Sequence, residues 1–358
     1  MEIDAGESHL KRVSHWKSYF IILTVVLVFV FILSLNIGYG YIPFDKILTI
    51  LTKNIPIIGD LIETSGIPDF ARDQSIILHV RMPRVFAGAL VGVALSVAGV
   101  AYQGIFRNPM ADPYTVGAMG GASFGAAVAI VLGIGVELLG LNTVPIFAFI
   151  GALGTVFLVY AISREGARVP VTTLILSGLT VTIFFNALVT YLKVIAGDLL
   201  HALEYWIMGS FRYSAWYEVI TIFPIIIFCT AVIYLYARDL NILVLGEEQS
   251  QHLGVELEKV KKILLVCGAF MTAAAVSISG LIGFVGLIIP HLTRIIVGPD
   301  HRILLPTSAI VGASFMMLCD SLARVIMGSA ELPVGVITAV AGGPFFIYLL
   351  RRKRRRYT

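Results

Sequence analysis

Two charged residues stand close together inside an apolar part of the sequence. Asp320 lies deep in a run of apolar residues, and Arg324 follows it four positions later. Residues four apart on a helix share one face, so we expect the two side chains to pair and neutralise each other. Such pairing argues against a carrier coupled to protons or sodium ions, because that class needs ionisable relays at mid-membrane.

Residues for enzyme chemistry or metal binding do not group in the sequence. No glycine is followed by lysine, so the chain has no Walker A loop to bind ATP, and no H-E-x-x-H zinc motif is present. His291 and His301 have no companions at ligand spacing, and the three cysteines lie far apart in apolar runs. We therefore expect no enzyme, no metal site, no cofactor and no disulfide in this chain.

Composition sets the class of protein. Of the 358 residues, 58% are hydrophobic and only 13% are charged, and the mean hydropathy is +0.92. Soluble proteins carry about 25% charged residues, so a water-soluble enzyme and a disordered chain are both excluded. The apolar residues come in long runs and do not alternate, which argues against a membrane β-barrel. The predicted fold class is an all-α polytopic membrane protein.

Ten apolar runs predict about ten transmembrane helices in a single domain over residues 1–358. The first run lacks a cleavage site and is expected to stay as a span. The predicted runs are 19–37, 84–106, 114–134, 143–163, 171–194, 219–238, 263–282, 284–298, 305–327 and 333–350.

Basic residues predict the orientation in a cell membrane. Of the 26 Lys and Arg residues, 18 fall in the segments predicted to lie inside and 8 in those predicted to lie outside, and basic loops resist translocation. Both termini are therefore expected in the cytoplasm, with 1–18 as the N-terminal segment and 351–358 as a basic tail against anionic lipid. We expect no nucleic acid as a partner, because that tail is tethered directly to a span.

Two hydrophilic segments interrupt the apolar pattern. Residues 38–83 are predicted to lie outside, with a short apolar stretch at 44–51 on the membrane surface. Residues 239–262 are predicted to lie inside, as two short helices around a glycine with an apolar side. The pattern predicts either an interfacial loop helix or a docking surface for a cytoplasmic partner.

A constant offset of 181 residues suggests an internal repeat. Ala94, Ser96, Gly99, Pro109 and Gly117 are matched by Ala275, Ser277, Gly280, Pro290 and Gly298. The copies would have opposite orientations, and inverted repeats are typical of transporters. Pro109 and Pro290 are expected to break their helices at corresponding points.

Small and polar residues recur at helical spacing in the predicted spans. Glycines at 88 and 92, and at 117, 121 and 125, predict close helix packing. Thr182, Asn186 and Thr190 form a polar stripe on the span at 171–194. That stripe is expected either to bond neighbouring helices or to line a water-filled path.

Several strings resemble a known family. The sequence is similar to the FecCD-type permeases of type II ABC importers, which take up iron-siderophores, haem and cobalamin. The strings are RMPRVFAGALVGVALSVAGVAYQGIFRNPMADPYTVG at 81–117, WIMGSF at 206–211, LVLGEEQSQHLGV at 243–255, GLIGFVGLIIPHLTRIIVGPDHRILLP at 280–306 and DSLARVIMGSAELPVGVITAVAGGPFFIYLL at 320–350.

The resemblance implies an assembly. Such permeases have ten spans and form a homodimer with one path along the dyad. Two separate ATPase subunits, which bind the ATP and Mg, dock on one side, and an extracytoplasmic substrate-binding protein docks on the other. The implied function is passage of an iron complex or cobalamin from that binding protein into the cytoplasm.

The resemblance also implies roles for single residues. By position, Arg81, Arg84 and Arg324 match basic residues that dock the binding protein, while Asn108 and Met110 match a cytoplasmic gate. Val171 and Thr172 match a second constriction. Gly246, Glu247, Leu253 and Gly254 fall in the family's coupling helices, which sit on the ATPase.

The substrate and the transport class are left with alternatives. The family carries iron chelates, haem, cobalamin and oxyanions, and the sequence does not separate them. An ion-coupled secondary transporter is the alternative that an inverted repeat alone would permit, and an intramembrane enzyme is a third class.

Overall fold

The computed structural model describes residues 2–38, 40–56, 59–61, 67–135, 142–166, 168–253 and 256–354. Within these ranges the chain is a bundle of α-helices with no β-strand. The helices are α1 Glu2–Asn36, α2 Phe44–Lys53, α3 Phe70–Ser75, α4 Met82–Phe106, α5 Ala118–Val131, α6 Thr143–Ile162, α7 Val171–Ile195, α8 Leu200–Ile207, α9 Trp216–Leu235, α10 Ala237–Leu243, α11 Glu247–His252, α12 Leu257–Ser279, α13 Val285–Val297, α14 His301–Ile326 and α15 Val334–Arg354.

Helices cover all ten predicted apolar runs in the described part of the chain, and seven of these helices have the length of a span. Among the described residues, seven helices are long and apolar enough to cross a membrane: α1, α3 continuing into α4, α6, α7, α9, α12 and α14. Three shorter apolar helices, α5, α13 and α15, coincide with the other predicted runs. The all-α membrane fold is confirmed.

Helix α4 lies at the centre of the bundle, packed against α9, α12, α13 and α14. Its glycines explain the close packing. A Cβ built on Gly92 would lie 2.2 Å from the carbonyl oxygen of Gly312 on α14, and one on Gly99 would lie 2.0 Å from that of Gly286 on α13. No larger residue fits at either contact, so backbones approach directly, as small-residue stripes permit in membranes.

The stretch at 44–51 is not a loose surface segment. It forms α2, in which Ile47 and Ile50 are fully buried. They pack in a small apolar cluster with Leu35 of α1, Val85 of α4 and Ile77, which precedes α4. The hydrophilic stretch between the first two spans is therefore anchored to the bundle in part.

Residues matched at an offset of 181 lie at different points of their helices. Gly99 lies inside α4, whereas Gly280 ends α12 with φ +66°. Pro109 lies in a turn beyond the end of α4, whereas Pro290 lies inside α13. The matched residues thus occupy different structural positions, and the expectation that both prolines break helices at corresponding points is wrong.

Candidate functional site

Two opposite ends of the bundle carry the predicted site residues. We call one end the coupling end, after the coupling role predicted for its residues; it carries α10, α11 and the residues that follow α4. The opposite end carries the start of α4 and the C-terminal ends of α1 and α14. The two ends are separated by the length of α4, about 33 Å between Arg84 and Phe106 at 1.5 Å per residue.

The arginines predicted for docking form a buried cluster at the opposite end. Arg84 donates from Nε and Nη2 to the carboxylate of Asp320 at 2.8–3.1 Å. Its Nη1 contacts Glu331 at 3.0 Å. The Nε of Arg324 lies 3.1 Å from Asp320, so the expected pair on one face of α14 is present.

The other hydrogen bonds of the arginines go to the backbone carbonyl oxygens at the C-terminal end of α1. Arg81 donates from Nη1 to the carbonyl oxygen of Leu35 at 2.7 Å. Arg324 donates to the carbonyl oxygens of Ile37 at 2.7 Å and Ser34 at 3.0 Å. The last carbonyls of a helix lack partners within the helix and carry partial negative charge, so both guanidiniums cap α1.

Burial changes the interpretation of this cluster. Arg81, Arg84 and Arg324 are 5%, 7% and 5% exposed. The expectation of basic side chains presented on the surface is therefore wrong. A guanidinium at low dielectric is stable only when it is paired and hydrogen-bonded, and α1 and Asp320 supply those partners. Docking through Arg84 would require its contact with the partly exposed Glu331 to open.

The predicted gate residues form a tight turn at the coupling end. Arg107 ends α4 in the left-handed conformation, with φ +50°. The Oδ1 of Asn108 accepts the backbone N–H of Met110 at 3.0 Å, with Pro109 between them. Asn108 is exposed and Met110 is half-buried, so both lie at the surface of this end.

The second predicted constriction starts α7. Val171 is half-buried and Thr172 is exposed. Just before them, the backbone N–H of Val169 donates to Glu258 at the start of α12, at 3.2 Å. The start of α7 therefore lies at the same end as the turn after α4.

The coupling segment has the predicted form of two short helices around a glycine. Gly246, with φ +126°, separates α10 from α11, and such a φ favours glycine. The Oγ of Ser250 donates to the carbonyl oxygen of Ile242 at 2.9 Å and so ties α11 to α10. Glu247 begins α11, and Gly254 lies outside the described residues.

Apolar side chains cover one side of this segment without internal partners. Val244, Leu245 and Leu253 are 51%, 59% and 60% exposed. These residues lie in the turns that follow α10 and α11, and grouped exposed apolar residues are typical of an interaction site. The segment thus presents an apolar surface at the coupling end, and a plain hydrophilic linker would not.

The polar stripe lies on α7. The hydroxyls of Thr182 and Thr190 donate to the carbonyl oxygens of Gly178 and Asn186 in their own helix, both at 2.8 Å. Asn186 and Thr190 are exposed, with the exposed Ile183 on the same face. The two threonines therefore do not bond neighbouring helices, and this face of α7 is open in the single chain.

A cavity that the sequence did not indicate opens near α8. It has a volume of about 800 Å³ and lies among α5, α6, α8, α9 and the end of α12. Its aromatic and charged lining residues are Asp198, His201, Tyr205, Trp206, Arg212, Tyr213 and Glu218.

Glu218 is the buried acid of this cavity. It is 7% exposed, and one carboxylate oxygen accepts the N–H of Ala215 at 3.3 Å, at the start of α9. No cationic side chain in the described part of the chain pairs with it. Glu218 comes directly before the apolar run predicted at 219–238, and only the fold shows the cavity beside it.

The comparisons with known proteins identify the family. The profile of the FecCD transport family matches residues 26–352. The chain belongs to the FecCD transport family. It is 44% identical over 291 residues to the cobalamin import system permease protein BtuC of Halobacterium salinarum, covering 81% of this chain and 77% of that protein. It is 38% identical over 281 residues to the hemin transport system permease protein HmuU of Yersinia pestis, covering 78% and 84%.

A solved structure agrees with this assignment. An inward-facing conformation of a putative metal-chelate type ABC transporter superposes with a TM-score of 0.79 at 32% identity, covering 94% of this chain and 99% of that one. The chain is therefore a FecCD-type permease, a multi-pass protein of the cell membrane.

A sequence pattern typical of hydrolases in this FecCD-family chain has a packing role in the structure. Gly121, Ser123 and Gly125 have the G-x-S-x-G spacing of a hydrolase nucleophile turn. Ser123 lies inside α5, however, and its Oγ donates to the carbonyl oxygen of Met119 at 2.9 Å. A Cβ on Gly125 would lie 2.1 Å from the carbonyl oxygen of Phe147, so these glycines serve the packing of α5 on α6.

Proposed function

We propose that this chain is the membrane subunit of an ATP-driven importer. Two copies would form a path along their dyad, two separate ATPase subunits would bind the ATP and Mg and dock at the coupling end, and an extracytoplasmic binding protein would deliver the substrate at the opposite end. Both termini would then lie in the cytoplasm. The observation that carries the proposal is the family match across residues 26–352.

The apolar surface of the coupling segment supports the ATPase partner. Val244, Leu245 and Leu253 are exposed in the turns that follow two short helices, and exposed apolar side chains of this kind are suited to contact with another protein. Gly246, Glu247 and Gly254 would shape that contact. The turn at Asn108 and Met110 lies next to the segment, since a Cβ on Gly246 would be 3.9 Å from Arg107. Movement of the segment could therefore reach the predicted gate.

The open face of α7 supports the second copy of the chain. It combines Asn186 and Thr190 with apolar neighbours and has no partner helix over it in the single chain. In a homodimer this face would lie towards the dyad, with Thr182, Asn186 and Thr190 lining the path. Val171 and Thr172, at the coupling end of the same helix, would narrow it.

We propose an iron complex or cobalamin as the substrate. The proteins named for cobalamin and for hemin are similarly related to this chain, and both cargoes are organic macrocycles that hold a metal ion. The cavity beside α8 offers aromatic rings and charged groups suited to the organic part of such a chelate.

The ion-coupled secondary transporter is the weaker alternative. Asp320 is held by two arginines and is not placed to take up a proton or sodium ion during transport. The exposed apolar segment at the coupling end would also have no role in a carrier that works alone.

Co-purification tests the ATPase contact. The chain should form a stable complex with the ATPase subunit of its system, and the double variant Leu245→Ser, Leu253→Ser should lose that complex while remaining folded. The matched control is Leu199→Ser with Leu200→Ser, two exposed leucines at the start of α8. Equal complex formation by both double variants and the unchanged chain would contradict the assignment of the coupling segment.

A further inference from the structure

A small basic cavity lies between the turn after α4 and the start of α14. Its volume is about 200 Å³. Two guanidiniums and one imidazole line it, and no acidic side chain does among the lining residues that the structure describes. Those residues are Gln103, Gly104, Arg107, Pro109, Val244, Arg294, Pro299 and His301.

His301 brings an unsatisfied atom to this cavity. The residue is 3% exposed, and its Nε2 is buried with no hydrogen-bond partner in the described part of the chain. A Cβ built on Gly104, another lining residue, would lie 3.2 Å from that nitrogen. A buried polar atom without a partner is costly, so the position favours a ligand that satisfies it.

The hydrogen bonds around His301 fix what this nitrogen can do. The Nδ2 of Asn241 donates to the carboxylate of Asp300 at 2.8 Å, so its Oδ1 faces His301. That oxygen accepts both the backbone N–H and Nδ1–H of His301, at 2.9 and 2.7 Å. In the neutral ring, Nε2 is therefore an acceptor, and it requires a donor from the cavity.

Arg294, which also lines the cavity, requires an acceptor with negative charge. Arg294 donates from Nη2 to the Oε1 of Gln103 at 3.0 Å, and among the described residues it contacts no carboxylate. The nearest acid in sequence to His301 is Asp300, which is already bound by Arg302 and Asn241. The positive charge of Arg294 thus remains to be balanced, and it favours an anion.

An apolar cleft adjoins the basic cavity. It has a volume of about 640 Å³, shares Val244, Pro299 and His301 with it, and also includes Asp300, whose carboxylate is bound by Arg302 and Asn241. Trp16 and Tyr19 of α1 line the far side, and such aromatic rings are typical of the membrane interface. The two spaces share part of their lining, so a ligand in the basic cavity would lie beside a cleft that contains aromatic rings of this kind.

We propose that this cavity binds a phosphate group that also carries a donor hydrogen, either inorganic phosphate or the headgroup of phosphatidylglycerol. A phosphate oxygen accepts from Arg294, and a P–O–H or glycerol hydroxyl donates to Nε2 of His301. Sulfate has the same tetrahedral shape but no hydrogen at neutral pH, so the cavity discriminates against it.

The first experiment compares the two oxyanions. Thermal unfolding of the purified chain in detergent is followed with added inorganic phosphate or with sulfate at equal ionic strength. Phosphate should raise the unfolding temperature and sulfate should not. Arg294→Gln keeps a donor to Gln103 but removes the charge, and should weaken phosphate binding about tenfold, the effect of one charge-assisted hydrogen bond. Lys262→Gln removes an exposed positive charge near the start of α12 and should change nothing.

A second variant separates ligand binding from loss of structure. His301→Gln can both donate and accept, so this variant should bind phosphate and sulfate alike. An unchanged preference for phosphate in His301→Gln would overturn the acceptor role of Nε2.

The second experiment identifies the source of the phosphate. The chain is placed in phosphatidylcholine nanodiscs with or without phosphatidylglycerol, since phosphatidylcholine has no donor hydrogen. A stabilisation by phosphatidylglycerol that Arg294→Gln abolishes assigns the site to lipid. A stabilisation by inorganic phosphate alone assigns it to the free ion. If neither stabilises the chain, or if Arg294→Gln responds like the unchanged chain, the proposal is wrong.

Discussion

Arg84 of α4 and Asp320 of α14 form a buried bidentate ion pair, with contacts of 2.8–3.1 Å, at the end of the bundle away from the coupling segment. The two residues are 236 positions apart in the chain. Their pairing joins the central helix to α14, and Arg324 extends it to the end of α1. One buried carboxylate therefore holds three helices together.

Removing that carboxylate should destabilise the chain strongly. Asp320→Asn leaves Arg84 and Arg324 buried without their shared counter-charge, and breaking a buried pair costs about 3–5 kcal/mol. The free energy of unfolding in detergent, or the temperature of thermal aggregation, measures the loss. Glu331→Gln is the control, because its side chain is 20% exposed and should cost much less. Equal stability of Asp320→Asn and the unchanged chain would contradict the role of the pair.

Charge reversal should distinguish buried from exposed arginines at this end. Arg81→Glu places a carboxylate against the carbonyl oxygens at the end of α1 and should lower the folded yield, whatever it does to docking. Arg72→Glu, at an exposed position before α4, should leave the yield unchanged. Size-exclusion profiles of the solubilised variants report both. If Arg81→Glu folds normally and only slows binding-protein association, the docking role predicted from the sequence is correct.

Close packing on α4 should make Gly92 intolerant of even one methyl group. Gly92→Ala would place Cβ 2.2 Å from the carbonyl oxygen of Gly312 and force α4 and α14 apart. Gly154→Ala is the matched control, because nothing lies within 4 Å of a Cβ at that position on α6. We expect Gly92→Ala to lose at least about 2 kcal/mol, and Gly154→Ala to be neutral or to gain up to about 1 kcal/mol from its higher helix propensity. Similar melting of the two variants would refute the contact.

Asp112, in the segment between α4 and α5, should make stability depend on pH. Burial raises the pKa of its carboxyl from 3.8 to about 6, although the N–H of Tyr114 partly opposes the shift. The folded state therefore holds the proton more tightly, and stability falls as pH rises from about 4 to 6 and is level above that.

The variant Asp112→Asn removes the contribution of this carboxyl to the pH dependence of stability. Asparagine keeps an acceptor for the N–H of Tyr114 but does not titrate, so the variant should be more stable above pH 6. The gain should be about 1–2 kcal/mol, because Asp112 is half-buried and water screens part of the effect. Thermal unfolding from pH 4 to 8 gives the comparison. A pH profile that is the same with and without Asp112 would assign the dependence to another group.

Long apolar runs were sufficient to place most membrane helices. The run at 171–194 became Val171–Ile195 and the run at 284–298 became Val285–Val297, because burial in lipid or protein requires apolar residues on every face. The run at 114–134 was too long. Its first residues form a separate turn, and Gly117, with φ +88°, precedes α5.

Contacts between distant parts of the chain were not predictable in the same way. An arginine at the end of a span reads as a surface cation, and only the fold shows that Arg81 reaches the carbonyl oxygens of α1. The offset of 181 arose from small residues and prolines that are common in spans, and pattern alone does not show whether Pro109 lies in a helix or in a turn. The basic cavity at His301 joins residues from α4, α13, α14 and the turn after α10, which no local spacing indicates.

Transport in proteoliposomes tests the central claim most directly. The chain is reconstituted with its ATPase subunits and binding protein, and uptake of cyanocobalamin, haemin and a ferric siderophore is measured with ATP on the ATPase side. We expect ATP-dependent uptake of one of these cargoes that needs both partners and is lost in the Leu245→Ser, Leu253→Ser variant. Uptake by the chain alone, driven by a proton or sodium gradient without ATP, would contradict the account.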